Sequence, residues 1–74
     1  MAHLTPLPER RVVRALEKLG FQRHRQRGSH ASYTHPDRRV ITVPIHPTQE
    51  VAKGTLREII RVAGVTVDEF MALA

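Results

Sequence analysis

The spacing of apolar residues near the start of the chain predicts an amphipathic helix from Pro8 to Leu19. Pro8 suits the first turn of a helix, and Gly20 suits a left-handed C-cap that folds Phe21 back onto the helix. Apolar and charged side chains alternate at helical spacing along the segment, with Val12, Val13, Leu16 and Leu19 on one face and Arg10, Arg11, Arg14, Glu17 and Lys18 on the other. The apolar face is therefore expected to form part of the core.

After this helix, the pattern changes to short extended segments separated by turn residues. A Gly-Ser pair between two extended runs predicts a type II′ hairpin, and a Pro-Asp pair predicts a second tight turn before a β-branched run. The predicted elements are a strand from Phe21 to Arg27, a turn at Gly28-Ser29, a strand from His30 to Thr34, a turn from His35 to Arg38 and a strand from Arg39 to Val43. Pro44 ends the last strand because it has no backbone N–H for the ladder.

Helical spacing returns in the last third of the chain. Leu56, Ile59, Ile60 and Ala63 mark a second helix from about Lys53 to Ala63, which Gly64 closes, and a Thr-x-x-Glu capping box at residues 66–69 opens a short last helix. The element order αβββα, with this extra C-terminal helix, predicts an α+β fold. We expect a single domain over residues 1–74, in which both main helices cover one face of a three-stranded antiparallel sheet and leave the other face open.

Length and composition exclude several classes of function. A chain of 74 residues has a thin core with little depth for a closed cavity, so we expect a surface or groove as the working site. The absence of cysteine excludes disulfides, thiolate zinc sites and cysteine nucleophiles. No apolar run has the length of a membrane span, and the start of the sequence does not resemble a signal peptide. The sequence therefore predicts a cytoplasmic protein that does not associate with membranes.

The charge of the chain points to a polyanionic partner. The sequence has 12 Lys and Arg residues against 7 Asp and Glu, a net charge of +5, and 10 of the 12 basic residues are arginine. Residues 1–39 carry a charge of +6 and residues 40–74 a charge of −1, so the basic surface belongs to the first half. Arginine suits bidentate contacts with phosphate. An arginine-rich surface that only serves solubility is the alternative.

One group of residues combines this charge with possible chemistry. In a regular strand Arg23, Arg25 and Arg27 would lie on one side, spaced by about 7 Å, close to the phosphate spacing of a nucleic acid strand. Gly28 and Ser29 follow at the hairpin turn, and His30 and Tyr33 lie on the next strand. Apart from His30, these residues are expected to bind RNA: Arg23, Arg25, Arg27, Gly28, Ser29 and Tyr33. A histidine beside a row of arginines could act as a general acid or base on RNA. An exposed strand histidine without a catalytic role remains the alternative.

Other chemistries find less support in the sequence. His30, His35 and His46 stand on separate segments without a metal-binding motif, so we expect no metal site. Ser29 and His30 are neighbours in sequence and would point to opposite faces, which disfavours a serine nucleophile. Lys53-Gly54-Thr55 at a helix start could bind an anion, although a structural role, a helix start with a closely packed glycine, is the favoured interpretation.

Several motifs in series resemble the HicA family of messenger-RNA interferase toxins from type II toxin–antitoxin systems. The resemblance spans Val12 to Phe70. Its motifs are Gly28-Ser29-His30, Tyr33, His35-Pro36-Asp37, the strand Val40 to Pro44 with His46, the segment Lys53 to Ile60, Ala63-Gly64 and Glu69-Phe70. Two departures stand out: Arg38 occupies a turn position where relatives usually have glycine, and the connection from His46 to Glu50 is unusual.

The resemblance implies a fold, an activity and a partner. The fold would be like that of the double-stranded-RNA-binding domain, in agreement with the αβββα order. The activity would be metal-independent cleavage of messenger RNA without a cofactor, with His30 as the catalytic residue. The partner would be a HicB-like antitoxin that masks the active surface. Two alternatives remain from the sequence alone: a noncatalytic RNA-binding module of the same fold, and an adaptor whose basic face binds an acidic protein.

Overall fold

The helices and strands of the chain follow the predicted order, with one addition. In the computed structural model, which describes residues 3–45 and 49–74, they are β1 (Leu7–Pro8), α1 (Glu9–Lys18), β2 (Gln22–Arg27), β3 (His30–Thr34), β4 (Val40–Pro44), β5 (Glu50–Val51), α2 (Lys53–Ala63) and α3 (Val67–Leu73). The predicted α+β fold with a short C-terminal helix is confirmed. Each predicted boundary lies within one residue of the observed one; at the end of α1, for example, the predicted last residue Leu19 is the C-cap.

The three-stranded sheet has the strand order β2-β3-β4, and both ladders are antiparallel. Alternate side chains of β3 and β4 are buried among the helices: Ala31, Tyr33, Ile41 and Val43. Because directly opposed residues share a face, the register defines the opposite side of the sheet. This side, called the open face below, carries Gln22, Arg25, Arg27, His30, Ser32, Thr34, Val40, Thr42 and Pro44.

The core lies between the covered side of the sheet and the helices. Its fully buried large side chains are Val12, Leu16, Phe21, Val43, Leu56 and Phe70. All six residues of β2 are exposed, so this strand buries no side chain on either face and forms one edge of the sheet. β2 is therefore held in the sheet by its backbone hydrogen bonds to β3 rather than by packing in the core.

The end of α1 explains how the chain turns into the sheet. Gly20 has a φ of 97°, which glycine adopts without strain. Its N–H donates to Glu17 O at 3.0 Å, and the Phe21 N–H donates to Leu16 O at 2.9 Å, which together form a Schellman cap. Phe21 and Leu16 are both buried, so the predicted cap and its apolar contribution to the core are confirmed.

The predicted starts and ends of the last two helices are also confirmed. Gly64, with a φ of 78°, is the left-handed C-cap of α2. The Thr66 hydroxyl accepts from the Glu69 N–H at 3.1 Å, and the Glu69 carboxylate accepts from the Thr66 N–H at 2.9 Å. This reciprocal capping box satisfies two N–H groups at the start of α3.

A small second sheet was not predicted from the sequence. β1 and β5 pair antiparallel, with Leu7 opposite Val51 and Pro8 opposite Glu50. Leu7 and Val51 are both buried, so the pair ties the segment before α1 to the segment before α2. The sequence interpretation treated residues 45–51 as a connection only. His46 and the middle of that connection, residues 46–48, lie outside the described residues.

The turn from His35 to Arg39 keeps a conformation that favours glycine although it contains none. The Arg38 N–H donates to His35 O at 2.8 Å, and Arg38 itself has a φ of 78°. A left-handed conformation is strained for a residue with a Cβ atom. Arg38 therefore keeps a backbone geometry that glycine favours.

Replacing Arg38 with glycine is expected to stabilise the protein by about 0.5–1 kcal/mol, because it relieves this strain at some cost in chain entropy. Urea unfolding would measure the change as a higher midpoint with an unchanged slope. Arg38→Ala is the matched control, since it removes the same side chain and keeps the Cβ atom. An equal gain in both variants would show that the side chain, and not the backbone, carries the strain.

Arg39, the next residue, joins this turn to the end of α2. Its guanidinium lies 5.1 Å from the centre of the Phe21 ring and donates to Asp37 Oδ2 at 2.8 Å. It also donates to Val62 O at 3.0 Å and to Ala63 O at 2.7 Å. The Gly64 N–H bonds the carbonyls of residues 60 and 61, so Arg39 satisfies the two last carbonyls that this cap leaves free. Arg39 is therefore a structural arginine.

Candidate active site

The candidate site begins at the hairpin between β2 and β3. Arg27 and His30 are paired across a two-residue turn, Gly28 has a φ of 54°, and Ser29 does not have a positive φ. This is the pattern of the predicted type II′ turn. Ser29 O accepts a bond from the Ile45 N–H at 2.6 Å, so the end of β4 also holds the turn. A Cβ atom built on Gly28 would have no heavy atom within 4 Å, so the turn is open to an approaching ligand.

His30 is exposed on the open face, where it forms a row across the sheet with its two cross-strand neighbours. Arg27 lies opposite His30 on β2, and Pro44 lies opposite on β4. Side chains opposed in this way have Cβ atoms about 4.5–5.5 Å apart. Among the described residues, no side chain hydrogen-bonds the His30 imidazole. The imidazole of His30 can therefore contact a ligand that lies beside the guanidinium of Arg27.

The predicted row of three arginines is wrong in one respect. The register shifts between Arg23 and Arg25, so that Arg23 opposes the buried Tyr33 while Arg25 opposes Ser32. The extra residue is His24, which forms a β-bulge. Arg25 and Arg27 therefore share the open face with His30, whereas Arg23 lies on the covered side. There its guanidinium donates to Gln26 Oε1 at 3.2 Å.

Tyr33 also lies apart from the site. Its side chain belongs to the core and faces the helices, on the opposite side of the sheet from His30. Burial raises the pKa of its phenol, Glu9 raises it further, and the nearby charge of Arg23 lowers it. Contact between Tyr33 and an RNA on the open face does not fit this arrangement. The sequence already indicated this, because residues three apart on a strand, such as His30 and Tyr33, point to opposite faces.

The position of Tyr33 can be tested by titration, because it is the one tyrosine in a chain without tryptophan. We expect its phenolate, followed by ultraviolet absorbance, to form above the ordinary pKa of 10.0. Glu9→Gln should lower this pKa and Arg23→Gln should raise it. Circular dichroism at each pH would verify that the chain stays folded. A pKa at the ordinary value, with no response to Glu9→Gln, would contradict the buried position.

A second row of the open face runs parallel to the first. Arg25, Ser32 and Thr42 oppose one another across the three strands, one side-chain repeat away from Arg27, His30 and Pro44. Arg25 and Thr42 are exposed and Ser32 is half-buried. Thr42 was not named in the sequence analysis, although the alternation of apolar and polar residues along β4 predicts that its side chain lies on the face away from the core.

The open face carries positive charge without acidic residues. None of the seven Asp and Glu residues of the chain belongs to it. At its far end Val40 is 56% exposed, the most exposed large apolar side chain among the described residues. A pocket lies beyond this face and is lined by Pro44, Gln49, Glu50, Val51, Ala52 and Thr55. The arrangement thus suits an extended anion lying across a surface.

The other histidines have different surroundings. His35 packs against Phe21 with ring centroids 5.0 Å apart, and its Nδ1 accepts a bond from the Asp37 N–H at 3.2 Å. Arg39 holds the pKa of the Asp37 carboxyl below its ordinary value, first through its backbone N–H and then through its guanidinium. Within residues 3–45 and 49–74 no three His, Asp or Glu side chains form a possible metal site.

A comparison with known families gives a match across the site. A family model described as HicA toxin of bacterial toxin-antitoxin matches residues 10–65, more than half of the chain. The matched segment includes the hairpin, His30 and all three strands of the larger sheet. No curated protein matches the chain significantly. None of the helices in the described part of the chain is long and apolar enough to span a bilayer.

Proposed function

The chain belongs to the HicA toxin family of bacterial toxin–antitoxin systems, and from this we propose that it is an endoribonuclease that cleaves messenger RNA and so inhibits translation and growth. Members of the family are generally toxins that cleave messenger RNA. The single observation that carries the proposal is the pairing of an exposed His30 with Arg27 on an open face that has no carboxylate. The expected compartment is the cytoplasm, which holds the messenger RNA.

The chemistry uses a nucleophile that the substrate brings with it. His30 takes the proton of an RNA 2′-hydroxyl, the 2′-oxygen forms a bond to the adjacent phosphorus, and the bond from phosphorus to the 5′-oxygen breaks. The leaving oxygen receives a proton from His30 or from water. Arg27 stabilises the negative charge that develops on the phosphate. These groups need no metal ion and no cofactor, so we propose metal-independent cleavage.

The substrate is held by the residues around His30. Arg25 and Arg27 bind phosphates, Gly28 lets the RNA backbone approach the turn closely, and Ser29 offers an exposed hydroxyl at the same turn. Arg23 was expected in this group and contributes only positive charge from the covered side of β2. Tyr33 was also expected there, and we assign it to the core instead.

Membership of a toxin family implies an antitoxin partner. We propose that this partner is a HicB-like protein and that it covers the open face, because a protein bound there excludes RNA from His30. Coexpression with the antitoxin should relieve the growth arrest that the chain causes alone.

The proposal is tested by incubating the purified chain with single-stranded RNA in excess chelator. We expect cleavage, and we expect Arg27→Gln to slow it about 10- to 100-fold, since bonds to charged groups contribute about 1.5–3 kcal/mol. Arg23→Gln is the matched control from the same strand and the other face, and should have a much smaller effect. RNA that stays intact but binds with a steep salt dependence would favour a noncatalytic RNA-binding module. Equal effects of the two substitutions would contradict the assignment of the open face.

A further inference from the structure

The row formed by Arg25, Ser32 and Thr42 has the features of a second binding site on the open face. The Ile45 N–H bonds Ser29 O directly across the β3–β4 ladder. Because bonded and non-bonded pairs alternate in an antiparallel ladder, Ser32 and Thr42 form a non-bonded pair, the type in which side chains lie closer together. The two hydroxyls are therefore neighbours on the open face, with Arg25 on the other side of Ser32.

Both hydroxyls are free to bind a ligand. Neither makes a side-chain hydrogen bond within residues 3–45 and 49–74. Arg25 likewise has no carboxylate partner in the described part of the chain, unlike Arg39 and Arg61. A hydroxyl can donate to a phosphate oxygen, and a guanidinium can donate to two of them. The row therefore presents hydrogen-bond donors and a positive charge, which are the groups that bind an anion.

The distance between the two rows fits the spacing of an RNA strand. His30 and Ser32 are two residues apart on β3, which corresponds to about 7 Å. This is close to the separation of successive phosphates along a nucleic acid strand. An RNA that has its scissile phosphate between His30 and Arg27 therefore brings a neighbouring phosphate to the second row.

We propose that Arg25, Ser32 and Thr42 form a subsite for the phosphodiester next to the one that is cleaved. The proposal rests on the proposed function for its choice of RNA as the anion. The subsite gives the enzyme a preference for RNA with more than one phosphodiester. A dinucleotide has a single phosphodiester, which is the one that is cleaved, so none remains to occupy the subsite. Ser32 and Thr42 act on binding of the substrate and do not take part in the proton transfers.

The test compares substrates with and without the second phosphate. Ser32→Ala combined with Thr42→Val should lower kcat/KM for an RNA of about 10 nucleotides, within the range of single-strand sites, by about tenfold or more. The same variant should cleave a dinucleotide as fast as the unchanged chain. Thr34→Val, on the same face and one row further from His30, is the matched control and should cleave both substrates normally.

A binding measurement keeps the test independent of catalysis. The same RNA with 2′-deoxyribose at each position cannot be cleaved by this route, and the double variant should bind it about tenfold more weakly than the Thr34→Val control. Equal affinities of the two variants, or an equal loss with the dinucleotide, would overturn the subsite. Loss of binding in the double variant without cleavage by the unchanged chain would overturn the proposed function and leave the subsite in place.

Discussion

Replacing His30 with alanine is expected to reduce the rate of RNA cleavage about 100- to 10,000-fold, the usual contribution of a general acid or base. The imidazole is exposed and has no hydrogen-bond partner among the described side chains, so its removal should leave the thermal midpoint unchanged. Loss of activity in a folded variant would then report on chemistry. A fluorescent RNA in excess chelator provides the rate, and circular dichroism verifies the fold.

His24 supplies the matched control for this experiment. It is also an exposed histidine of the same sheet, at the bulge of β2, and no role is assigned to it. His24→Ala should keep full activity. Cleavage by His30→Ala at the rate of the unchanged chain would remove the catalytic assignment, and an equal loss in both variants would mean that histidine charge, and not the position of His30, matters.

The second large effect is expected on stability. Arg39→Met keeps an apolar stem against Phe21 and removes the hydrogen bonds to Asp37 and to the last two carbonyls of α2. We expect a loss of about 2–3 kcal/mol in the free energy of unfolding, because bonds to charged groups are strong and the freed carbonyls are partly buried. Denaturant unfolding measures the loss.

Arg27→Met is the control for the removal of an arginine. Arg27 is exposed and makes no ion pair within the described chain, so the change should fall within about 0.5 kcal/mol. If Arg39→Met were as mild, Arg39 would be a surface charge like the others. It would then be available to a ligand, in contrast to the structural role assigned to it.

The helices could be predicted from the sequence because their signals are local. The glycines after α1 and α2 and the capping box at Thr66 each specify a helix end within a few residues. The pair β1–β5 has no such signal, since strands of two residues are too short for a period. Its pairing depends on the packing of Leu7 and Val51, which are distant in sequence.

The candidate site was predictable only in part, for a related reason. His30 follows a turn with a strong sequence signal, which fixes its partner Arg27. The bulge at His24 had no signal, because β2 buries no residue and an all-polar strand shows no alternation that would reveal a shift in register. The structural role of Arg39 could not be predicted either, because nothing in the sequence distinguishes an arginine that caps a distant helix from one that binds phosphate.

The uncovered position of β2 also has a consequence for amide exchange with solvent. A strand that buries no side chain can open locally without disturbing the apolar core, at a free-energy cost far below that of global unfolding. The ladder-bonded amides among residues 22–27 should therefore exchange hydrogen for deuterium well before those of Ile41 and Val43, the buried residues of β4. Evolution can thus alter the arginines that meet a ligand at little cost to the rest of the molecule.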